Sequence, residues 1–431
     1  MWVRRALWVS AVSFAFISLV VSPTLWADEA DSRQRDDSAT PCEKVSAPAD
    51  AKDAASKESP KNASPADVTA LAAMIDNYIV SAWGATIVPA ELADDAEYAR
   101  RVHLDLTGSV PTVAALREFL ADASPDKRQK LVDRLLDSPQ YARHFSNVWM
   151  SLFLPEVESN EQVRFYAIEF KSWLQMRLRE GMGYNAMARE LLTTPLDGAS
   201  MRGFRQRDDQ QPPRPSAFYQ AKELKAENLA SATARVFLGI RVDCAQCHNH
   251  PFTAWKQEDF WAFAAYFDKL QQQAGGSNVN ATLQAMLAGP PKSNAIEISI
   301  PDTKTTVAGR FLGTHDAAAP SGATAREMVA DWITSDSNPY FARTAVNRAW
   351  AHLLGTGIVD PIDDFDPSNP ASHPELLDEL ARQYVAHGYD QKFLFRAIMA
   401  SRPYQLTSRL THPSQRDRRA FARMTPKGLT A

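Results

Sequence analysis

Residues 237 to 252 read Phe237-Leu-Gly-Ile-Arg-Val-Asp-Cys244-Ala-Gln-Cys247-His248-Asn-His250-Pro-Phe252. Apolar residues at helical spacing lead straight into this run, from about Lys222 to Leu238, and resume after it at Phe260, Phe263, Phe267 and Leu270. The run is therefore a short polar connection between two helices.

The helical period continues outward on both sides. Upstream, Thr112 is placed to cap a helix carrying Val113, Leu116, Phe119 and Leu120. Ser124-Pro125 predicts the start of another, with Leu131, Val132, Leu135 and Leu136 on one face. Phe170, Trp173, Leu174 and Leu178 mark a helix ending at Gly181, and Met187, Leu191 and Leu192 a further one. Residues 197 to 217 hold three prolines and no period, which predicts a loop. Downstream, Ile296, Ile298 and Ile300 alternate with polar residues, and Pro301-Asp302-Thr303-Lys304 separates them from a second extended run to Leu312. That is a β-hairpin pattern. Beyond it, Thr324 with Glu327 and Ser372 with Glu375 are spaced as capping boxes, and Gly355 closes a helix carrying Asn347, Arg348, Trp350 and Leu354. The expectation is a mainly α fold, a helical two-part body with one small β-hairpin between the parts. No internal repeat is present.

Composition limits what such a chain does. It has 431 residues, 45% hydrophobic and 23% charged, enough for a sizeable core. A formal net charge of only -4 creates no overall field for nucleic acid, so no nucleic-acid partner is expected. Arg4 and Arg5, the apolar stretch Ala6 to Val21 and a candidate cleavage point after Ala27 predict an export signal over residues 1 to 27. Leu25 is large for the third position before that point, so an uncleaved signal anchor is the alternative and the one expected membrane contact. Residues 28 to 64 are poor in large apolar side chains and predict a disordered linker. The chain is expected outside the cytoplasmic membrane, in the periplasm or cell envelope. The expected organisation continues with a helical domain over 65 to 270, a linker and hairpin over 271 to 322, and a second helical domain over 323 to 431.

Three cysteines, Cys42, Cys244 and Cys247, do not make a disulfide framework. Cys42 lies in the linker and reads as an incidental thiol or an intermolecular partner. Cys244 and Cys247 stand two residues apart with His248 immediately after. Two thiols so spaced can each add to one vinyl group of a haem, and the following His then ligates the iron. Cys244, Cys247 and His248 are therefore the expected attachment residues for a covalent haem c, with His248 as proximal ligand. Two alternatives stay open. One is a zinc or other metal site using the cysteines with His248 or His250, although zinc usually takes a fourth ligand. The other is a disulfide or an unmodified Cys pair. No catalytic residue and no sixth iron ligand stand out.

Weaker constellations have bland readings. Asp360, Asp363, Asp364 and Asp366 lack the spacing of a calcium loop and read as solvated or capping residues. Arg343, Asn347 and Arg348 read as the polar face of a helix. Seven Lys or Arg against one Asp between Arg402 and Lys427 read as a solvated helix end.

Several blocks resemble the Planctomycete cytochrome-like domain, a domain of unknown function. They are Arg101-Val-His-Leu-Asp-Leu-Thr-Gly-Ser-Val-Pro111-Thr, Leu131-Val-Asp-Arg-Leu-Leu-Asp-Ser-Pro139-Gln-Tyr-Ala-Arg with Trp149, and Phe237 to Phe252 with Trp255. Asn338-Pro-Tyr-Phe-Ala-Arg343-Thr-Ala-Val-Asn347-Arg-Ala-Trp350-Ala-His352, Gly357-Ile-Val-Asp-Pro361-Ile-Asp-Asp-Phe365, Pro367-Ser-Asn-Pro370 and His373-Pro-Glu-Leu-Leu are similar to its habitual C-terminal partner domain, also of unknown function. Such partner domains run well beyond a segment like Arg423-Met-Thr-Pro-Lys-Gly-Leu-Thr, so the resemblance implies a truncated copy here. It implies an exported protein with covalent haem, a monohaem electron-transfer or redox-sensing module with an unidentified redox partner. A cell-envelope scaffold or polysaccharide-associated protein with a structural Cys pair is the second expectation. A metal-dependent hydrolase using Cys244, Cys247 and His250 is the third.

Overall fold

In the computed structural model, residues 64–196, 212–268, 270, 295–314 and 323–428 are described. The export signal, Cys42, the linker but for Ser64, and residues 197–211 and 271–294 of the expected loops lie outside them.

Local chemistry sets most helix ends. Ser64 caps the first helix, α1 (Pro65–Trp83), in a reciprocal box with Asp67. Asp94 caps α2 (Asp95–Thr107), and Thr112 caps α3 (Val113–Ala121) as its position predicts. α4 covers Lys127–Leu136 and α5 Pro139–Phe153. α6 (Glu161–Glu180) stops where Gly181 turns left-handed, followed by α7 (Tyr184–Thr193) and the short α8 (Ala217–Ala221). α9 (Ala226–Thr233) precedes the cysteine run and α10 (Gln257–Ala264) follows it. Strands β1 (Glu297–Ser299) and β2 (Thr306–Ala308) pair antiparallel, Ile298 facing Val307. Then come α11 (Ala325–Ile333), capped by Thr324 and Glu327, and α12 (Phe341–Leu354), ended by Gly355. α13 (Pro374–Ala386), α14 (Gln391–Ala400) and α15 (Arg402–Gln405) complete the series. The chain is mainly α, with the hairpin between helical parts.

Four expectations need correction. Ser124-Pro125 does not open α4; the chain turns once more and the helix starts at Lys127. The helix expected from Lys222 begins only at Ala226, because Glu223 and Leu224 both adopt positive φ and break it. Ser372 makes no capping box: its hydroxyl donates to Ile358 O at 3.1 Å, and α13 starts from His373 without a side-chain cap. The basic tail is not a helix end. Arg418 and Arg423 donate to Gly355 O at 2.9 Å and Ser408 O at 2.9 Å, binding the tail back onto the body.

The two helical parts share one core. α1 packs against α13 and α14, and the tail runs along α1 and α2. Trp83 Nε1 donates to Ala420 O at 2.7 Å, and Ala93 N to Gln405 O at 2.8 Å. Deeper in, the carboxylate of Asp105 accepts from Tyr404 Oη at 2.8 Å and pairs with Lys427 Nζ. Arg101 Nη1 meets Tyr404 O at 2.6 Å. No helix among the described residues is long and apolar enough to cross a membrane.

The same seam holds two histidines. His144 of α5 and His352 of α12 face each other with ring centroids 6.1 Å apart, and His352 Nε2 meets Asp105 O at 2.9 Å. Burial pushes the His144 imidazole down to about 4, the nearby His352 adding to the effect and Asp105 opposing it. Burial likewise lowers His352. Both rings are therefore neutral in the folded chain, and the unfolded chain takes up protons first as pH drops below 6.5. The stability that a neutral His144 contributes is present above pH 6.5 and is lost as pH falls toward about 4, and His352 shifts in the same direction. Thermal melts of wild type and His144→Gln are expected to diverge in that window, the variant showing the shallower loss. Parallel curves would contradict this.

Candidate functional site

The cysteine run is positioned from behind by the helix that enters it. After Thr233, α9 loosens into one π-helical turn, Ala234–Leu238, and ends at Gly239, whose φ is 66°. The last carbonyls of such a turn have no partner within the helix. Arg348 of α12 supplies one: its buried guanidinium donates to Val236 O and, at 2.6 Å, to Arg235 O. Gly239 is required on two counts. A side chain there is strained by the positive φ, and its Cβ would stand 2.7 Å from the Phe365 ring and 2.8 Å from Thr344 Oγ1.

The loop after α12 braces the other side. Asn347, fully buried, exchanges two hydrogen bonds with Val359: Nδ2 to the carbonyl at 2.8 Å, and the amide back to Oδ1 at 2.9 Å. The loop then reaches the cysteine run, where Phe365 N donates to Gly239 O at 2.9 Å and Asp363 pairs with Arg241. The polar face expected for Arg343, Asn347 and Arg348 is thus corrected. Arg343 alone faces solvent, paired with Asp378 at 2.5 Å, while Asn347 and Arg348 point inward because backbone groups need them there. Of the acidic cluster, Asp363 holds Arg241 and Asp366 caps Ser368.

The run itself is a 3-10 turn, Asp243–Gln246, anchored by the buried side chains of Val242 and Ala245. Cys244, Cys247 and His248 all face solvent, and both thiols are free, so they form no disulfide here. α10 holds the rear of the turn. Trp261 Nε1 donates to Gln246 O at 2.9 Å, Gln257 Nε2 to Cys247 O at 2.9 Å, and Gln257 N to Asn249 Oδ1 at 3.0 Å.

The two histidines are in opposite states. His248 Nδ1 lies 2.7 Å from Asn249 O, and a carbonyl only accepts, so this nitrogen carries the proton and Nε2 keeps its lone pair. That is the tautomer an imidazole needs to ligate a metal through Nε2. His250 Nδ1 instead accepts from Phe252 N at 3.2 Å and Thr253 N at 3.1 Å. Its proton sits on Nε2, and the ring ties a turn together. Among the described residues, no group of three His, Cys, Asp or Glu side chains is placed to hold a metal ion on its own. Two accessible thiols and one exposed imidazole whose tautomer leaves Nε2 available are the groups a covalent haem would use.

Sequence reading missed Arg348, Asn347, Gln257 and Trp261 as supports of the run. One signal was present: Asn347-Arg348 interrupts an otherwise apolar helix surface, and polar residues there mark backbone groups that need partners.

Residues 74–272 match PSCyt2, a protein family of unknown function (DUF1549). Residues 325–431 match PSD1, likewise of unknown function (DUF1553). The chain is similar to both, in that order, and the PSCyt2 match takes in the whole cysteine run. The Arg348 and Asn347 supports come from the PSD1 match. No curated protein and no solved structure matches the chain.

Arg348→Met removes both carbonyl partners at once and is expected to cost about 2–4 kcal/mol, read from denaturant melts. Arg348→Lys recovers little, because an ammonium cannot fork across two carbonyls. In haem-free protein made without c-type maturation, and in a Cys42→Ser background, both remaining thiols should react with a maleimide in the native state. Labelling only after unfolding would contradict their exposure.

Proposed function

We propose that this chain binds one covalent haem through Cys244 and Cys247, with His248 Nε2 as proximal iron ligand, and acts outside the cytoplasmic membrane as an electron-transfer or redox-sensing module. The observation that carries this reading is the state of the three side chains. Both thiols are free and open, and His248 has its proton fixed on Nδ1 by a backbone carbonyl. Attachment adds each S–H across one haem vinyl group with no net oxidation. The bound iron supplies a one-electron couple.

The protein's own share is rigidity. The Gln246 and Cys247 carbonyls are tied to α10, while the helix end behind them is tied to Arg348. An iron ligand on so braced a turn moves little between oxidation states. The open surface lets a redox partner approach the site directly. The PSCyt2 name and the export signal expected over residues 1 to 27 agree with this reading, since thioether haem is attached outside the cytoplasmic membrane.

The test is expression of the full chain in a host with c-type maturation machinery, followed by cell fractionation and a denaturing gel stained for haem. Covalent haem is expected in the envelope fraction and absent from the Cys244→Ala, Cys247→Ala double variant. Each single variant should keep one thioether, with its reduced pyridine haemochrome band moved to longer wavelength. A colourless protein carrying stoichiometric zinc overturns the proposal in favour of a metal-dependent hydrolase. A colourless protein without metal overturns it in favour of an envelope scaffold.

A further inference from the structure

Four residues beyond His248, the chain holds a large apolar side chain out in solvent. Phe252 is 86% exposed, while Val113, the next most exposed large apolar residue among those described, is 67% exposed. Exposed apolar residues are common singly and need no explanation when they sit on loose loops. Phe252 does not. His250 N donates to Trp255 O at 2.8 Å and closes the turn. Inside it, His250 Nδ1 receives both Phe252 N and Thr253 N. Three hydrogen bonds therefore fix the backbone that presents this ring, and the His250 imidazole meets it edge-on at 6.4 Å.

The turn is also joined to the attachment residues. Gln257 donates its backbone amide to Asn249 Oδ1 and its side-chain amide to Cys247 O, so the segment from Cys247 to Gln257 is pinned at both ends. A porphyrin held at Cys247 and His248 has two broad apolar faces, and each gains from leaving water. A ring fixed in place loses little entropy on packing against such a face, whereas a ring on a mobile loop must first be ordered.

We infer that Phe252, presented by the His250–Trp255 turn, is the apolar wall of the haem site and packs against the macrocycle when haem is attached. This rests on the haem reading above and assigns Phe252 a role toward that group. His250 is a positioning residue that acts through the turn, holding the backbone amides of Phe252 and Thr253.

The experiment compares the full chain with Phe252→Ala and Phe252→Leu after c-type maturation. All three should stain equally for covalent haem, because the thioethers do not involve this side chain. Phe252→Ala should bleach several-fold faster with hydrogen peroxide and show a weakened Soret circular dichroism signal, with Phe252→Leu close to wild type. In the haem-free Cys244→Ala, Cys247→Ala background, Phe252→Ala should leave the melting temperature unchanged, since the ring makes no core contact there. A haem-loaded wild type whose Phe252→Ala variant bleaches and absorbs identically overturns the inference while leaving the haem reading intact. If that variant differs only in its rate of exchange with a protein redox partner, Phe252 belongs to a docking surface and the inference is again overturned. A wild type without haem overturns both.

Discussion

Arg348 is the group on which the geometry of the cysteine run depends. A helix that ends in the interior leaves carbonyls pointing at nothing, and each costs free energy unless a donor is found. Here the donor is a guanidinium from α12, more than a hundred residues later in the chain. It has no carboxylate partner on its forked end; carbonyl dipoles take that place. Burial lowers its basicity, yet a guanidinium stays charged well above neutral pH, so the interaction persists at any pH at which the chain folds.

From that contact the rest follows in order. With Val236 and Arg235 held, α9 can end abruptly at Gly239 and release the chain toward the surface. Gly239 O is taken by Phe365 N, Arg241 by Asp363, and the 3-10 turn carrying Cys244 and Cys247 is set down on Ala245. α10 then fastens the turn from the other side through Gln257 and Trp261. The residues matching PSCyt2 carry the reactive groups, and those matching PSD1 carry the clamp. This gives a physical reason for the two to occur in one chain: the cysteine run is incomplete as a rigid object without the second part.

The seam between the parts is polar where one expects apolar packing. Asp105, Lys427, Tyr404, Arg101 and Glu97 form a connected network there, with Thr407 Oγ1 donating to Glu97 Oε2 at 2.6 Å. Such networks stabilise only when every member is satisfied, and they specify one docking geometry over its neighbours. Lys427 shows the balance: burial lowers its basicity while Asp105 opposes that shift. The tail that supplies it is tied back by the side chains of Arg418, Arg419 and Arg423, while Arg402, Arg409 and Arg416 stay exposed as expected.

Helix content and the hairpin between the helical parts were legible in the sequence, because caps and periodicity are local properties. Thr112, Gly181, Thr324 and Gly355 act within a few residues of themselves, and their effects can be read without a fold. Some readings failed for local reasons, such as the positive φ of Glu223 and Leu224, and others because they depended on distant partners. Ser372 looked like a cap but serves Ile358, and Arg348 looked solvated but serves α9. Which histidine keeps its lone pair on Nε2 was also decided only in three dimensions, by whether a carbonyl or two amides faced Nδ1. The sequence singled out Cys244, Cys247 and His248 by their spacing, and tertiary structure decided that they are open and what holds the turn that carries them, because hydrogen-bond partners far apart in the chain are chosen by folding alone.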